Sequence, residues 1–214
     1  MNLVQFFVTN RIEVAELTFE HLRLVGISML LAALLGIPTG ILLARRPRFE
    51  KPVLGVANIV ETIPSLALFG LLLPVPWLGD RADRLAILAL ALYALLPIIR
   101  NTYVGIRGVD RAILEAGRGM GLTDRQLLFQ VQLPLALSVI LAGVRVATVV
   151  SVGVATIAAA IGAGGLGEYI FRGLAMVNNN LILAGAIPAA LLALSADLVL
   201  GLAERKLRPG VSAG

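Results

Sequence analysis

Apolar residues come in long runs along this chain, and most charged residues collect between the runs. Leu24 to Leu43 holds no charge, and Val53 to Leu73 is interrupted by Glu61 alone. Leu85 to Ile99 is again free of charge, 15 residues that extend to about 104 if Arg100 sits at an interface. Leu133 to Ile161 contains Arg145, and Leu181 to Ala203 contains Asp197. About 20 apolar residues in a helix cross the ~30 Å hydrocarbon core of a bilayer. The pattern predicts five membrane-spanning helices, at about 24–43, 53–73, 85–104, 133–161 and 181–203. Runs rich in Leu and Ala without face-to-face alternation favour helices over barrel strands. The predicted fold class is an all-α integral membrane protein.

Composition agrees. Of 214 residues, 58% are hydrophobic and 14% charged, against about 45–50% and about 25% in soluble domains. There is no cysteine, hence no disulfide, thiolate metal site or Cys nucleophile. His21 is the one histidine, which excludes a His cluster. Arg11, Glu13, Glu16, Glu20, His21 and Arg23 interrupt the first 23 residues, so no cleavable signal peptide is expected.

The 18 Lys and Arg residues set the orientation. Twelve fall in one set of loops: Arg45, Arg46, Arg48 and Lys51, then Arg100, Arg107, Arg111, Arg118 and Arg125, then Arg205, Lys206 and Arg208. The other set has five, Arg11, Arg23, Arg81, Arg84 and Arg172. Basic loops stay in the cytoplasm. The N-terminus is therefore expected outside and the C-terminus inside, with 1–17 extracytoplasmic and 206–214 a cytoplasmic tail. The net charge of +5 reads as topology. No basic stripe is interleaved with aromatics, so no nucleic-acid partner is expected, and lipid is.

Within the runs, Pro38, Pro64, Pro97 and Pro188 predict bends, which suit helices lining a path and also ordinary membrane helices. A charge at mid-bilayer costs about 2.5–3.5 kcal/mol on insertion scales, so Glu61 and Arg145 need partners or a task. Their depths allow a Glu61–Arg145 pair, while Asp197 lies near the inner end of its span. Glu61, Pro64 and Arg145 are the candidate gate or pathway residues. An internal pair or a subunit contact is the competing reading.

The loop at about 107–132 is too long for a bare connection. It reads as two short helices. Asp110 caps the first, Arg111 to Arg118; Thr123 or Asp124 caps a second running through Gln130. Glycines 117, 119 and 121 separate them, and Pro134 opens the fourth span.

Glu115-Ala116-Gly117, Gly121, Val131, Leu133 and Pro134 stand at the spacing E-A-A-x3-G-x9-I-x-L-P, with Gly117 for the second Ala and Val131 for Ile. This resembles the EAA loop of ABC importer permeases. Thr18–Val25, Thr62–Gly70, Leu95–Tyr103 and Ala155–Gly167 are similar to the osmoprotectant branch, and the likeness covers about 18–205. The Gly162–Gly167 stretch also resembles a phosphate-cradling loop, but no Gly-Lys-Ser/Thr follows it.

The resemblance implies a type I importer permease fold and a permease subunit for glycine betaine, choline or carnitine in a bacterial or archaeal cytoplasmic membrane. It implies no cofactor, metal or ATPase site on this chain, and ATP-Mg on a partner ATPase dimer at the cytoplasmic face. A second permease subunit, identical or different, would complete the pathway. A substrate-binding protein would dock outside near Asp80–Arg84 and Gly162–Asn179, as a separate chain because this one ends soon after its last span. Glu115 to Gly121 would be the coupling helix. The few aromatics, among them Tyr93, Tyr103, Tyr169 and Trp77, would leave the cation–π cage to the binding protein. The competing functions are a permease for another small substrate such as an amino acid, and an ATP-independent secondary transporter.

Overall fold

The first apolar run is the middle of a much longer helix. Helix α2 spans Arg11–Arg45, roughly 52 Å at 1.5 Å per residue, and its charged first turns continue the rod beyond the predicted span. A short α1, Leu3–Thr9, precedes it. The computed structural model describes residues 3–207, and every regular element among them is helical. Residues 208–214 of the predicted tail, with Arg208, lie outside the described residues, as do residues 1 and 2.

Four helices among the described residues are long and apolar enough to cross a membrane: α2, α5 (Ala82–Arg107), the continuous rod Asp124–Ile161, and α10 (Asn179–Lys206). The rod comprises α7 (Asp124–Gln126), a π-helical turn over Leu127–Gln132, α8 (Leu133–Ala158) and a closing 3-10 turn. The expected second loop helix therefore does not end at Gln130. It runs straight into the fourth span, and Pro134 follows directly on the π-helical turn without breaking the rod.

The predicted second span is not straight. Helices α3 (Glu50–Thr62) and α4 (Ser65–Leu72) meet at 100° and make a fifth span only if taken together. Pro64 explains the break. It pushes Ile63 into an extended conformation, ψ 125°, since the residue before proline avoids the α region. Two tyrosines of α5 then hold α3. Tyr103 donates to the Glu50 carboxylate at 2.6 Å, and the Tyr93 hydroxyl donates to the Ile63 carbonyl.

Helix α5 is the centre of the bundle, packed on α2 and α8, with α10 on the far side of α8. Leu85, Ala86, Ala89, Leu90 and Ile98 are wholly buried. Glycines set the distances. A Cβ on Gly40 would stand 2.5 Å from the Thr102 Cβ and 2.8 Å from the Ile99 carbonyl oxygen, and one on Gly36 would stand 2.8 Å from an Ile98 methyl. Gly143 of α8 likewise meets Asn101 and the Pro97 carbonyl at 2.6 and 2.7 Å. Lipid tails are as apolar as Leu, so close backbone contact takes over from hydrophobic burial in holding membrane helices together.

Candidate functional site

Helix α6 (Arg111–Gly119) stands outside the long rods and is built by its caps. The Asp110 carboxylate accepts from the Ala112 N–H at 2.9 Å. At the other end Leu122 N–H donates to the Gly117 carbonyl at 3.0 Å and Gly121 N–H to the Arg118 carbonyl at 2.9 Å. That pair of bonds is a Schellman cap, and it places Gly121 at φ +84°, a region glycine enters without penalty. Two residues on, Thr123 and Gln126 bond each other's backbone N–H at 2.9 and 3.3 Å, a capping box that starts α7.

The loop is tied to two rods. Gly117 is buried, and a Cβ there would meet a Leu127 methyl at 2.6 Å, so α6 rests on the π turn that leads into α8. Arg45, the last residue of α2, donates to the Asp124 carbonyl at 2.8 Å. Arg118 and Asp124 form an exposed pair at 3.7 Å, which contributes little. A cavity of about 540 Å³ lies between, lined by Arg45, Arg46, Leu114, Arg118, Asp124 and Leu127 among others.

The seven motif residues divide by position. Gly117 seats the helix and Gly121 makes the turn; Val131 and Leu133 are half-buried and Pro134 is exposed where the rod becomes α8. Glu115 and Ala116 face outward, beside the exposed apolar side chains of Ile113 and Met120. Met120 is 76% exposed, an apolar tip that none of the described residues covers.

Along the apolar runs the charges pair differently from what their depths allow. Arg145 does not meet Glu61. Its guanidinium holds Asp197 of α10 in a two-pronged contact at 2.6 and 2.7 Å and reaches Glu204 at 3.4 Å. Gly201, between the two acids, makes room: a Cβ there would stand 2.9 Å from an Arg145 nitrogen. Asp197 and Glu204 are seven residues apart, two helical turns, hence on one face of α10. That spacing was the available signal for the pair. Glu61 sits in the last turn of α3, beside Arg100 and Asn101 of α5 in a cavity of about 330 Å³, and Pro64 lies at the break beyond it.

The opposite end carries the glycine-rich turn. Gly162, Gly164 and Gly165 all have positive φ, near 80°. The Gly165 N–H donates to the Glu20 carboxylate of α2 at 3.0 Å, so the chain's own acid occupies the place a phosphate would take. His21 beside it is fully buried and donates from Nε2 to the Val152 carbonyl at 3.1 Å. Next along, α9 (Gly167–Ala175) is held by Arg172 to Glu13 at 3.0 Å. Burial pushes the Tyr169 phenol above its ordinary range, and the nearby Glu13 carboxylate adds to the shift. Trp77 is exposed in the turns between α4 and α5. Among the described residues no group of His, Asp and Glu could hold a metal ion.

Bent and straight spans around a buried α5, with a capped helix projecting from one end, define a membrane-embedded transport subunit. The chain belongs to the family of binding-protein-dependent transport system inner membrane components, whose profile matches residues 36–209. It is 44% identical over 207 residues to the carnitine transport permease protein OpuCB of Listeria monocytogenes, covering 97% of this chain and 94% of that protein. It is 50% identical over 192 residues to the glycine betaine/carnitine/choline transport system permease protein OpuCD of Bacillus subtilis, covering 89% and 82%. The fold matches a subunit of the MetNI methionine ABC transporter, solved in inward-facing conformations, with a TM-score of 0.78. That match covers 88% of this chain and 93% of the other, at 23% identity. The all-α architecture is thus that of the type I ABC importer permeases.

Proposed function

We propose that this chain imports glycine betaine, carnitine or choline-type osmoprotectants as the pathway subunit of an ATP-driven complex, with α6 as the element that docks on the ATPase. The observation that carries the reading is near-full-length similarity to permeases named for these solutes. The loop geometry supports the docking role. Its apolar tip and its Glu115–Ala116 face are uncovered among the described residues, while Gly117 and Arg45 join it to α8 and α2. A push on α6 therefore reaches two of the three helices packed at the bundle centre. In this reading the α6 end faces the cytoplasm and an ATPase dimer carrying ATP-Mg. A separate binding protein meets the α9 end, and a second permease subunit, the same or different, completes the path.

The test is uptake in proteoliposomes holding this chain with its ATPase and binding protein. ATP-dependent accumulation of labelled glycine betaine, carnitine or choline is expected. ATP-driven transport of an amino acid but none of these would reassign the substrate. Uptake without ATP, driven by an ion gradient, would sink the importer reading.

The two loop glycines should respond in opposite ways. A Cβ at 117 meets the end of a flexible leucine, so Gly117→Ala should fold normally and transport within about twofold of wild type, helped by the ~1 kcal/mol helix preference of Ala over Gly. Gly121→Val has open space around it but a φ of +84°, which for a β-branched residue costs about 1–2 kcal/mol. It should insert normally and lose most ATP-coupled transport. Equal behaviour of the two variants would displace the coupling role from this turn.

A further inference from the structure

Glu61 and Arg100 line one cavity of about 330 Å³ between α3 and α5, together with Leu96, Pro97 and Asn101. A second cavity of about 300 Å³ shares Arg100 and Leu96 and adds Asn58 and Glu50. Among the described residues no ion pair engages either Glu61 or Arg100. Arg145, by contrast, is met by two carboxylates. Glu61 and Arg100 are both exposed within the chain, so the cavity opens at the surface where α3 lies along α5. Arg100 lies roughly 27 Å along α5 from its start at Ala82, at 1.5 Å per residue. An intramembrane ionisable residue is rare and almost always faces a partner or a water-filled space. Here two opposite charges face one space and do not neutralise each other.

The broken span sharpens the asymmetry. Glu61 is in the last turn of α3, one residue before Thr62 ends the helix, so the negative end of that helix dipole adds to its carboxylate. Interrupted helices use their carbonyl ends to hold cations in this way. Arg100 offers a planar guanidinium suited to a carboxylate. The two nearby tyrosine hydroxyls are already engaged, Tyr103 with Glu50 and Tyr93 with the Ile63 carbonyl, so the groove has charge at both poles and no aromatic cage. Such a site holds its occupant weakly, which a path requires, since binding must permit release.

We propose that the α3–α5 groove is a transit site for a zwitterion carrying a quaternary ammonium and a carboxylate, the ammonium facing Glu61 and the carboxylate facing Arg100. The assignment rests on the osmoprotectant reading above and adds a preference: both poles of the solute are recognised in the membrane subunit.

The experiment compares labelled glycine betaine, a zwitterion, with labelled choline, which has the ammonium alone. Both are measured in the reconstituted complex at saturating loaded binding protein. Arg100→Gln should lower glycine betaine uptake about tenfold, the loss of one charge-assisted contact, and leave choline within about twofold. Glu61→Gln should lower both. An unchanged ratio of the two solutes in Arg100→Gln overturns the site, because a purely structural arginine affects them equally. If Arg100→Gln fails to assemble, Arg100→Lys keeps the charge and loses the fork. KM for glycine betaine should then rise relative to choline, and an unchanged ratio again overturns it. A wild-type complex that carries choline but not glycine betaine overturns the zwitterion assignment and leaves the permease reading intact. A complex that carries no quaternary amine defeats the osmoprotectant reading itself.

Discussion

Replacing Gly40 by leucine should prevent α2 and α5 from closing and should remove most of the folded protein. The reason is local. A Cβ at 40 would stand 2.5 Å from the Thr102 Cβ and 2.8 Å from the Ile99 carbonyl oxygen, and the second of these is backbone and cannot rotate away. Overpacking of a tight contact costs about 1–3 kcal/mol, and a clash with backbone sits at or above ~3. Against a net stability of about 5–15 kcal/mol for an ordinary domain, that is a large share. Gly26 on the same helix is the control, since nothing lies within 4 Å of its Cβ position. Gly26→Leu should melt like wild type in detergent while Gly40→Leu gives little monodisperse protein. Gly40→Ala should be intermediate, and Thr102→Gly should relieve it only in part because the Ile99 carbonyl remains. Wild-type melting of Gly40→Leu would mean that the two helices do not cross there.

The second large effect is expected at Arg145. Replacing it with methionine leaves Asp197 and Glu204, two turns apart on one face of α10, without their cation. Removing one member of an ion cluster strands the others, whereas exchanging the whole cluster for neutral groups is often tolerated. The single variant Arg145→Met should therefore give far less inserted protein than R145M/D197N/E204Q. Yield and melting temperature of the purified subunit measure the difference. If the triple variant recovers both stability and transport, the cluster only joins α8 to α10. If it recovers stability without transport, the charges themselves take part in the pathway. Equal yields of single and triple variants would count against the network.

The sequence makes the order of the apolar runs legible, four of the five as single long helices, and hides their shapes. Hydropathy reports which residues suit lipid, and so marks 24–43, while the helix itself begins at Arg11 because polar residues propagate a helix as readily in water. Pro64 announces a break, but its 100° angle depends on the α5 tyrosines that hold α3. Depth allowed a Glu61–Arg145 pair that does not form, since depth carries no information about which way a side chain points. The seven-residue interval of Asp197 and Glu204 does carry it. The caps of the loop are legible almost residue by residue, because caps and turns are local: Asp110, Gly121 and Thr123 act within four positions of themselves. Arg100 is invisible as a partner of the Glu61 cavity for the opposite reason. It looks like an interfacial arginine until α3 is folded back along α5.

The π turn at Leu127–Gln132 has a consequence for azimuth. Each residue of an α-helix advances the direction of its side chains by about 100°, and a π turn amounts to one extra residue in the count. It lies between the capped loop and the face of α8 that Gly143 presents to α5, on a rod that is otherwise unbroken from Asp124 to Ile161. Deleting one residue there would leave a continuous helix of nearly the same length. It would swing α6 by about a quarter turn around the axis of α8, away from the heading on which anything docking from below would have to find it.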